Sequence, residues 1–88
     1  MVSQYKFKLI TLQKLEFDDL VESISTRTVV GEIGIYAKHI PLVGIIPENS
    51  TLSVTGDNNF KYVLKDKGVL LVQKNSEVVV MAPYVESI

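Results

Sequence analysis

The 88-residue sequence predicts an all-β fold, which we expect to be an antiparallel β-sandwich. Three observations predict it: apolar and β-branched residues occur in short runs, turn-forming residues separate these runs, and no segment keeps helical periodicity for more than about two turns. We expect about eight to ten short strands, in keeping with sandwich architectures. The chain is long enough for one domain, over residues 1–88, and no C-terminal helical domain is expected.

The first half opens with a clear strand and continues into an ambiguous segment. In "YKFKLI", aromatic and aliphatic residues alternate with lysines, the pattern of a strand with one buried face. "TLQ" predicts a turn and "KLEF" a short strand. In "DDLVESI", the apolar spacing and a capping box of Asp19 and Glu22 suit a short helix. The β-branched residues that follow, up to Val30, favour a strand, and both readings stay open.

The second half predicts four further strands. The runs "TLSVT", "FKYVL", "VLLVQ" and "EVVVMA" are separated by the turn formers "GDNN", "KDKG" and "KNS". In "KDKG" we expect Gly68 to take the positive φ angle that a hairpin turn requires. The closing "PYVESI" is too short for a stable helix.

Composition excludes several function classes. The net charge of −1 gives no field that would attract nucleic acid. The absence of cysteine removes disulfides, thiol catalysis and thiolate metal sites. No apolar run approaches the roughly 18–20 residues that a membrane-spanning helix needs. We therefore expect a domain without nucleic acid as partner.

Catalytic, metal and cofactor-binding residues are not predicted. His39 is the only histidine, and no G-x-S-x-G motif accompanies it, so a structural or contact role is expected. The glycines of "GEIG" match no phosphate-binding pattern and predict bends or bulges. The neighbouring carboxylates Asp18 and Asp19 would point to opposite faces of a strand, and we interpret them as a solvated turn.

An alternative function rests on Lys67. This lysine follows Asp66 at a predicted hairpin tip, the setting in which lipoyl and biotinyl carrier domains present a modifiable lysine. Those domains place the lysine near mid-chain between two similar halves. Here it lies about three-quarters of the way along, before a glycine, and a simple turn explains it better.

The segment "GEIGIYAKHIPLVGIIP" resembles the N-terminal domain of the ε subunit of F-type ATP synthases. That family typically reads G-E-φ-G-I-[LY]-P-G-H-A-P-L-[VL]-x-x-[LI]-x-P-G, where φ is apolar. The positions that match in register are Gly31, Glu32, Gly34, Ile35, Tyr36, His39, Pro41, Leu42, Val43 and Pro47. The flanking "KFKLITLQKLEFDDLVESIS" and "GVLLVQKNSEVVVMAP" are similar to the family as well. Ala37-Lys38 and Glu48 depart from the pattern, all in predicted turns.

The resemblance implies a rotor-stalk subunit of a proton-translocating ATP synthase. It would bind the γ subunit and the ring of c subunits and help couple proton flow to ATP synthesis, with no catalytic site and no small-molecule substrate of its own. The resemblance implies that the loops around Glu32 and His39 face the c-ring. It also implies that the strand after Pro41 approaches γ, with Leu42, Val43, Gly44, Ile45 and Ile46 in the contact.

The same resemblance implies where the protein acts and what it lacks. We expect a peripheral membrane complex on the cytoplasmic side of a bacterial inner membrane, with the stromal side of a plastid membrane as the alternative. The family usually continues as two C-terminal helices that restrain rotation. The sequence stops shortly after "VVVMA", so we expect the coupling role without this helical brake.

Overall fold

The computed structural model describes residues 3–36, 41–74 and 77–88, which form ten strands and no helix. The first five strands are β1 (Tyr5–Ile10), β2 (Leu15–Val21), β3 (Ser23–Thr28), β4 (Gly31–Tyr36) and β5 (Leu42–Ile46). The second five are β6 (Thr51–Thr55), β7 (Asn59–Leu64), β8 (Gly68–Val72), β9 (Val78–Met81) and β10 (Val85–Ser87). The all-β prediction is confirmed, and none of the described residues lies in a helix that could span a membrane.

The strands form two five-stranded sheets. Sheet A has the order β2-β1-β9-β8-β5, and sheet B has the order β10-β7-β6-β3-β4. β1 and β9 pair in parallel, with Phe7 opposite Val78, whereas the other ladders of the described residues are antiparallel. The chain passes from sheet A to sheet B after β2 and again after β5, and it returns to sheet A at β5 and at β8, after which β9 pairs with β1.

The core lies between the two sheets. Alternating residues of each strand turn inward, which is why the burial of β1 and β3 has a period of two. The largest side chains with at most 2 % of their surface exposed come from both sheets: Phe7, Leu9, Val21, Ile24, Ile46, Leu52, Val54, Leu64, Leu70, Val72, Val78 and Val80. Burying each such side chain contributes about 1.5–3 kcal/mol, so this layer is the main source of stability.

The ambiguous segment folds as two strands. β2 ends at the buried Val21 and β3 begins at Ser23, so the strand reading holds and no capping box forms. Asp18 and Asp19 lie within β2, which corrects the expected solvated turn. Val21 pairs with Tyr5 in sheet A, whereas Ile24 pairs with Ile35 and Val54 in sheet B, so two separate strands connect this segment to both sheets.

Gly68 is required for space, and its expected positive φ angle is wrong. Among the described residues, positive φ occurs at Gly31 (131°) and Asn49 (63°). A Cβ atom on Gly68 would lie 2.6 Å from Leu64 Cδ2 and 3.1 Å from the Met81 carbonyl oxygen. Close packing where β8 begins therefore demands glycine here.

Candidate partner-binding surfaces

The predicted γ-contacting strand is β5, at one edge of sheet A. β5 pairs with β8 and has no other ladder partner among the described residues. Its side chains alternate: Val43 and Ile45 are 70 % and 48 % exposed, whereas Ile46 is fully buried. Leu42 packs against the core, and a Cβ on Gly44 would meet the side chains of Thr28 and Leu70. Only Val43 and Ile45 therefore present side chains outward.

These two residues belong to a larger apolar face on the outside of sheet A. In the sheet register, Ile45 lies opposite Val69, Val69 opposite Met81, and Met81 opposite Ile10. Val43 lies opposite Leu71 in the next row. We call Val43, Ile45, Val69, Leu71, Met81 and Ile10 the apolar face. A contiguous apolar patch of this kind marks an interaction surface.

Ion pairs border the apolar face on β1. Lys6 Nζ lies 2.8 Å from Asp18 Oδ1, and Lys8 Nζ lies 3.4 Å from Glu77 Oε1. The hydrogen bond with Lys6 lowers the pKa of Asp18, and the same bond raises the pKa of Lys6. Both groups are solvent-exposed, so the pairs delimit the patch and contribute little to stability.

An apolar groove of 340 Å³ adjoins this face at the end of β1. It is lined by Ile10, Thr11, Leu12, Lys67, Val69, Met81, Ala82 and Pro83. Leu12 is 77 % exposed at its rim. The apolar face and groove together form a continuous surface of aliphatic side chains on the outside of sheet A.

The predicted c-ring-facing residues are separated along the chain. Glu32 is exposed on β4, next to the turn between β3 and β4, and lies in a strand instead of a loop. His39 lies outside the described residues. Tyr36, the last described residue before it, pairs with Ser23 at the other end of β4, about 13 Å from Glu32 along an extended strand. Glu32 and Tyr36 therefore lie toward opposite ends of β4.

The remaining candidate residues are the possible metal ligands, the Asp18-Asp19 pair and Lys67, and the described part of the chain shows no reactive arrangement at any of them. The described residues contain no cluster of three or more His, Cys, Asp or Glu that could hold a metal ion. Asp18 pairs with Lys6, and Asp19 Oδ1 accepts a 2.8 Å hydrogen bond from the Leu20 N–H. Lys67 is exposed on the turn between β7 and β8, where its own N–H donates to Asp66 Oδ1 at 2.8 Å.

Sequence reasoning missed most of the apolar face. It identified β5 but not the outward residues of β8 and β9. A signal was present, because "VLLVQ" and "EVVVMA" are apolar at nearly every position, not at alternate ones. A strand that is apolar on both faces is usually covered on both sides, so the outward residues of such a strand are candidates for a contact with another protein. Val69 and Met81 could have been found in this way.

Curated relatives share the name "ATP synthase epsilon chain". The protein of Clostridium acetobutylicum is 38 % identical over 72 residues, which cover 82 % of this chain and 54 % of the relative. That of Ruminococcus albus is 28 % identical over 83 residues, covering 93 % of this chain and 60 % of the relative. The chain thus spans a little over half the length of these relatives.

Solved structures share the fold. A chain of the Euglena gracilis mitochondrial ATP synthase (OSCP/F1/c-ring, rotational state 1) matches with a TM-score of 0.87 at 21 % identity, covering 99 % of this chain and 56 % of that one. A chain of the Tetrahymena thermophila mitochondrial ATP synthase central stalk and c-ring matches with a TM-score of 0.78 at 13 % identity, covering 97 % and 67 %. These matches support the β-sandwich and give no support to a carrier domain modified at Lys67.

The family model of the ATP synthase delta/epsilon chain β-sandwich domain matches residues 4–88. That range includes all ten strands and both faces of the sandwich. The chain therefore belongs to the ATP synthase delta/epsilon chain β-sandwich family.

Proposed function

We propose that the chain acts as a rotor component in the central stalk of a proton-translocating F-type ATP synthase. It binds the γ subunit and the c-ring and helps couple proton flow to ATP synthesis. It is non-catalytic and needs no cofactor. It works within a peripheral membrane complex on the cytoplasmic side of a bacterial inner membrane.

The apolar face of sheet A carries this proposal. Val43 and Ile45 lie on an edge strand, and their register neighbours Val69 and Met81 extend the same surface inward across the sheet. Surfaces of this kind in a small domain are usually covered by a protein partner. Because the chain belongs to this family, γ is the expected partner. β5 lies within the segment "GEIGIYAKHIPLVGIIP" that resembles the family motif.

The c-ring contact is assigned to the end of sheet B that carries Glu32. The carboxylate is exposed, and its strand is held by β3 on one side, with Glu32 opposite Arg27. A charged tip on a rigid strand suits contact with polar loops, because its position is fixed before the partner arrives. His39 is proposed for the same partner by its match to the family motif.

Binding to the cognate γ subunit tests the proposal directly. The wild-type chain should be retained by immobilised γ, and Val43→Asp should weaken binding, because it places a charge in the apolar face. Thr55→Asp is the matched control, since Thr55 is exposed on the outer side of sheet B. Circular dichroism of all three chains would establish that each is folded.

The γ-binding proposal has a clear negative outcome. Failure of the folded wild-type chain to bind γ would overturn it. Equal weakening by Val43→Asp and Thr55→Asp would show that the contact does not lie on sheet A.

A further inference from the structure

The turn between β3 and β4 presents two valines to solvent. Val29 and Val30 lie between Thr28 and Gly31, which pair with each other across the two strands. The side chains of the two valines are 63 % and 94 % exposed, and Val30 is the most exposed large apolar residue in the described part of the chain. We call this pair the valine tip.

The local structure does not account for valine at these two positions. The positive φ angle of the turn falls on Gly31, at 131°, so Val29 and Val30 keep ordinary backbone angles that most residues adopt. Turns usually contain Gly, Pro, Asn, Asp or Ser, whereas valine is favoured in strands. Because both side chains stay largely exposed, the core gains little from them. A contact outside the chain is the remaining use for two apolar side chains here.

Hydrogen bonds hold the valine tip in a fixed position. The Thr28 hydroxyl donates to the Gly31 carbonyl at 2.9 Å, and the Val30 N–H donates to Thr28 Oγ1 at 3.3 Å. The Val29 N–H donates to the Ile45 carbonyl of β5 at 3.0 Å. Valine side chains are also stiff at χ1. A partner that covers the tip therefore needs to immobilise very little.

The valine tip lies beside the edge strand that carries part of the apolar face. The bond to the Ile45 carbonyl places Val29 next to β5. The base of the turn also packs on this strand, because a Cβ atom on Gly44 would lie 3.6 Å from Thr28 Cγ2. Val43 and Ile45 present the exposed side chains of β5. Apolar surface thus continues from the outside of sheet A past its edge to the turn of sheet B.

From this continuity we infer that the valine tip is a second anchor for the γ subunit, which covers it together with Val43 and Ile45. The inference rests on the proposed function, since it takes γ as the partner of the apolar face. The matching surface of γ must be apolar, because a polar group buried against two valines would lose its hydrogen bonds. Contacts on the face and beyond the edge together fix the angle at which the sandwich meets γ, which contacts on β5 alone would leave free.

The double variant Val29→Thr/Val30→Thr tests this anchor in binding measurements with immobilised γ. Threonine keeps the branched shape and replaces one methyl group by a hydroxyl, so the turn should stay intact while the apolar contact is lost. The Kd for γ should rise by about tenfold or more, mainly through faster dissociation. Val63→Thr is the matched control, because it makes the same change on the outer side of sheet B, between the buried Tyr62 and Leu64.

A single cysteine at the tip provides the second arm, because the natural chain has none. Val30→Cys should react rapidly with iodoacetamide in the isolated chain, since position 30 is open to solvent. In the complex with γ, alkylation of the 88-residue chain, followed by mass spectrometry, should slow by about tenfold or more. Thr55→Cys, on the outer side of sheet B, should react at the same rate with and without γ.

These measurements separate the valine tip from the rest of the γ contact. The inference is overturned if the folded double variant binds γ as tightly as the wild type and Val63→Thr do. It is also overturned if Val30→Cys stays reactive in the γ complex, or becomes protected only when the c-ring is added. Weakening by Val43→Asp without weakening by the double variant would refute the second anchor and leave the proposed function standing. Failure of the wild-type chain to bind γ would refute both.

Discussion

The Tyr5 hydroxyl donates a 2.7 Å hydrogen bond to the carbonyl oxygen of Ile35 and joins the two sheets inside the sandwich. Tyr5 belongs to β1 of sheet A, and Ile35 belongs to β4, the edge strand of sheet B. Both residues are 3 % exposed. Because β4 pairs only with β3 among the described strands, this bond is a second attachment of the strand that carries Glu32.

Tyr5→Phe should destabilise the chain by about 1–3 kcal/mol, because a buried acceptor loses its donor while the aromatic ring stays in place. Chemical denaturation at neutral pH measures the change. Phe17→Leu is a useful comparison, since Phe17 packs on Phe7 with ring centroids 5.5 Å apart and makes no such bond. A Tyr5→Phe variant as stable as the wild type would show that the hydrogen bond contributes nothing to stability.

The same tyrosine should give the chain an alkaline limit. Burial raises the pKa of Tyr5, while a hydrogen bond from the backbone of Ile24 acts in the opposite direction. Below about pH 10, the ordinary tyrosine pKa, the folded and unfolded states both keep the proton. Above it the unfolded chain loses the proton first, so the free energy of unfolding should fall as pH rises.

Burial also raises the pKa of Tyr62, so the wild-type chain has two such groups. Wild type and Tyr5→Phe should be denatured at a series of pH values that extends about two units below and above the ordinary tyrosine pKa. Comparison of the two chains would separate the contribution of Tyr5 from that of Tyr62. The stability difference between wild type and Tyr5→Phe should narrow above about pH 10. A difference that stays constant would contradict the assignment.

Gly68→Ala should be destabilising by about 1–3 kcal/mol, the usual cost of overpacking. Its Cβ would lie 2.6 Å from Leu64 Cδ2, and the Met81 carbonyl at 3.1 Å leaves little room for adjustment. Gly44→Ala is the control, because its nearest neighbours would be ordinary contacts of 3.6 to 4.0 Å. Thermal denaturation of the two variants should rank Gly68→Ala well below Gly44→Ala, and the reverse order would refute the packing argument.

Local pattern predicts several of the strands because their residues suit the two faces of a sheet, but it predicted bends or bulges for "GEIG", which lies in β4. The alternation in "YKFKLI" identifies β1, and the buried positions Phe7 and Leu9 follow from it. Pairing between distant strands has no such local signature. The parallel contact of β1 with β9 depends on the path of the whole chain, as does the short ladder between β3 and β6.

Two other features lie beyond local pattern for different reasons. The role of Gly68 depends on the side chain of Leu64 and the backbone of Met81, so turn rules alone give the wrong reason for the glycine. The motif "GEIGIY" is continuous in sequence, yet β4 places Glu32 near one of its ends and Tyr36 at the other. Proximity in a motif therefore does not make Glu32 and Tyr36 neighbours in the fold.

Ile45 and Ile46 offer a matched test of the two faces of β5. Ile46→Ala should cost about 2–5 kcal/mol of stability, because Ile46 is fully buried in the core. Ile45→Ala should cost less than about 1 kcal/mol, since its side chain is 48 % exposed, but it should weaken binding to γ. Denaturation and γ-binding measurements on both variants give the comparison, and loss of γ binding in Ile46→Ala alone would contradict the assignment of the outer face.

Replacing Glu32 and His39 by alanine should reduce coupling between ATP hydrolysis and proton pumping in the reconstituted synthase. Exposed polar residues usually change stability by no more than about 0.5 kcal/mol, so the double variant should remain folded. Each single variant must be measured as well, so that a loss of coupling can be assigned to Glu32 or to His39. Proton pumping per ATP hydrolysed, in vesicles containing the assembled enzyme, is the readout.

The position of Asp57 makes this coupling test specific. Asp57 is exposed on the turn after β6, whose last residue Thr55 pairs with Ser23 at the end of sheet B away from Glu32. Asp57→Ala removes the same charge from that end and should leave coupling unchanged if the Glu32 end faces the c-ring. Reduced coupling in Asp57→Ala, with normal coupling in Glu32→Ala, would reverse the proposed orientation of the sandwich. A large loss of thermal stability in Glu32→Ala would instead show that Glu32 supports the fold.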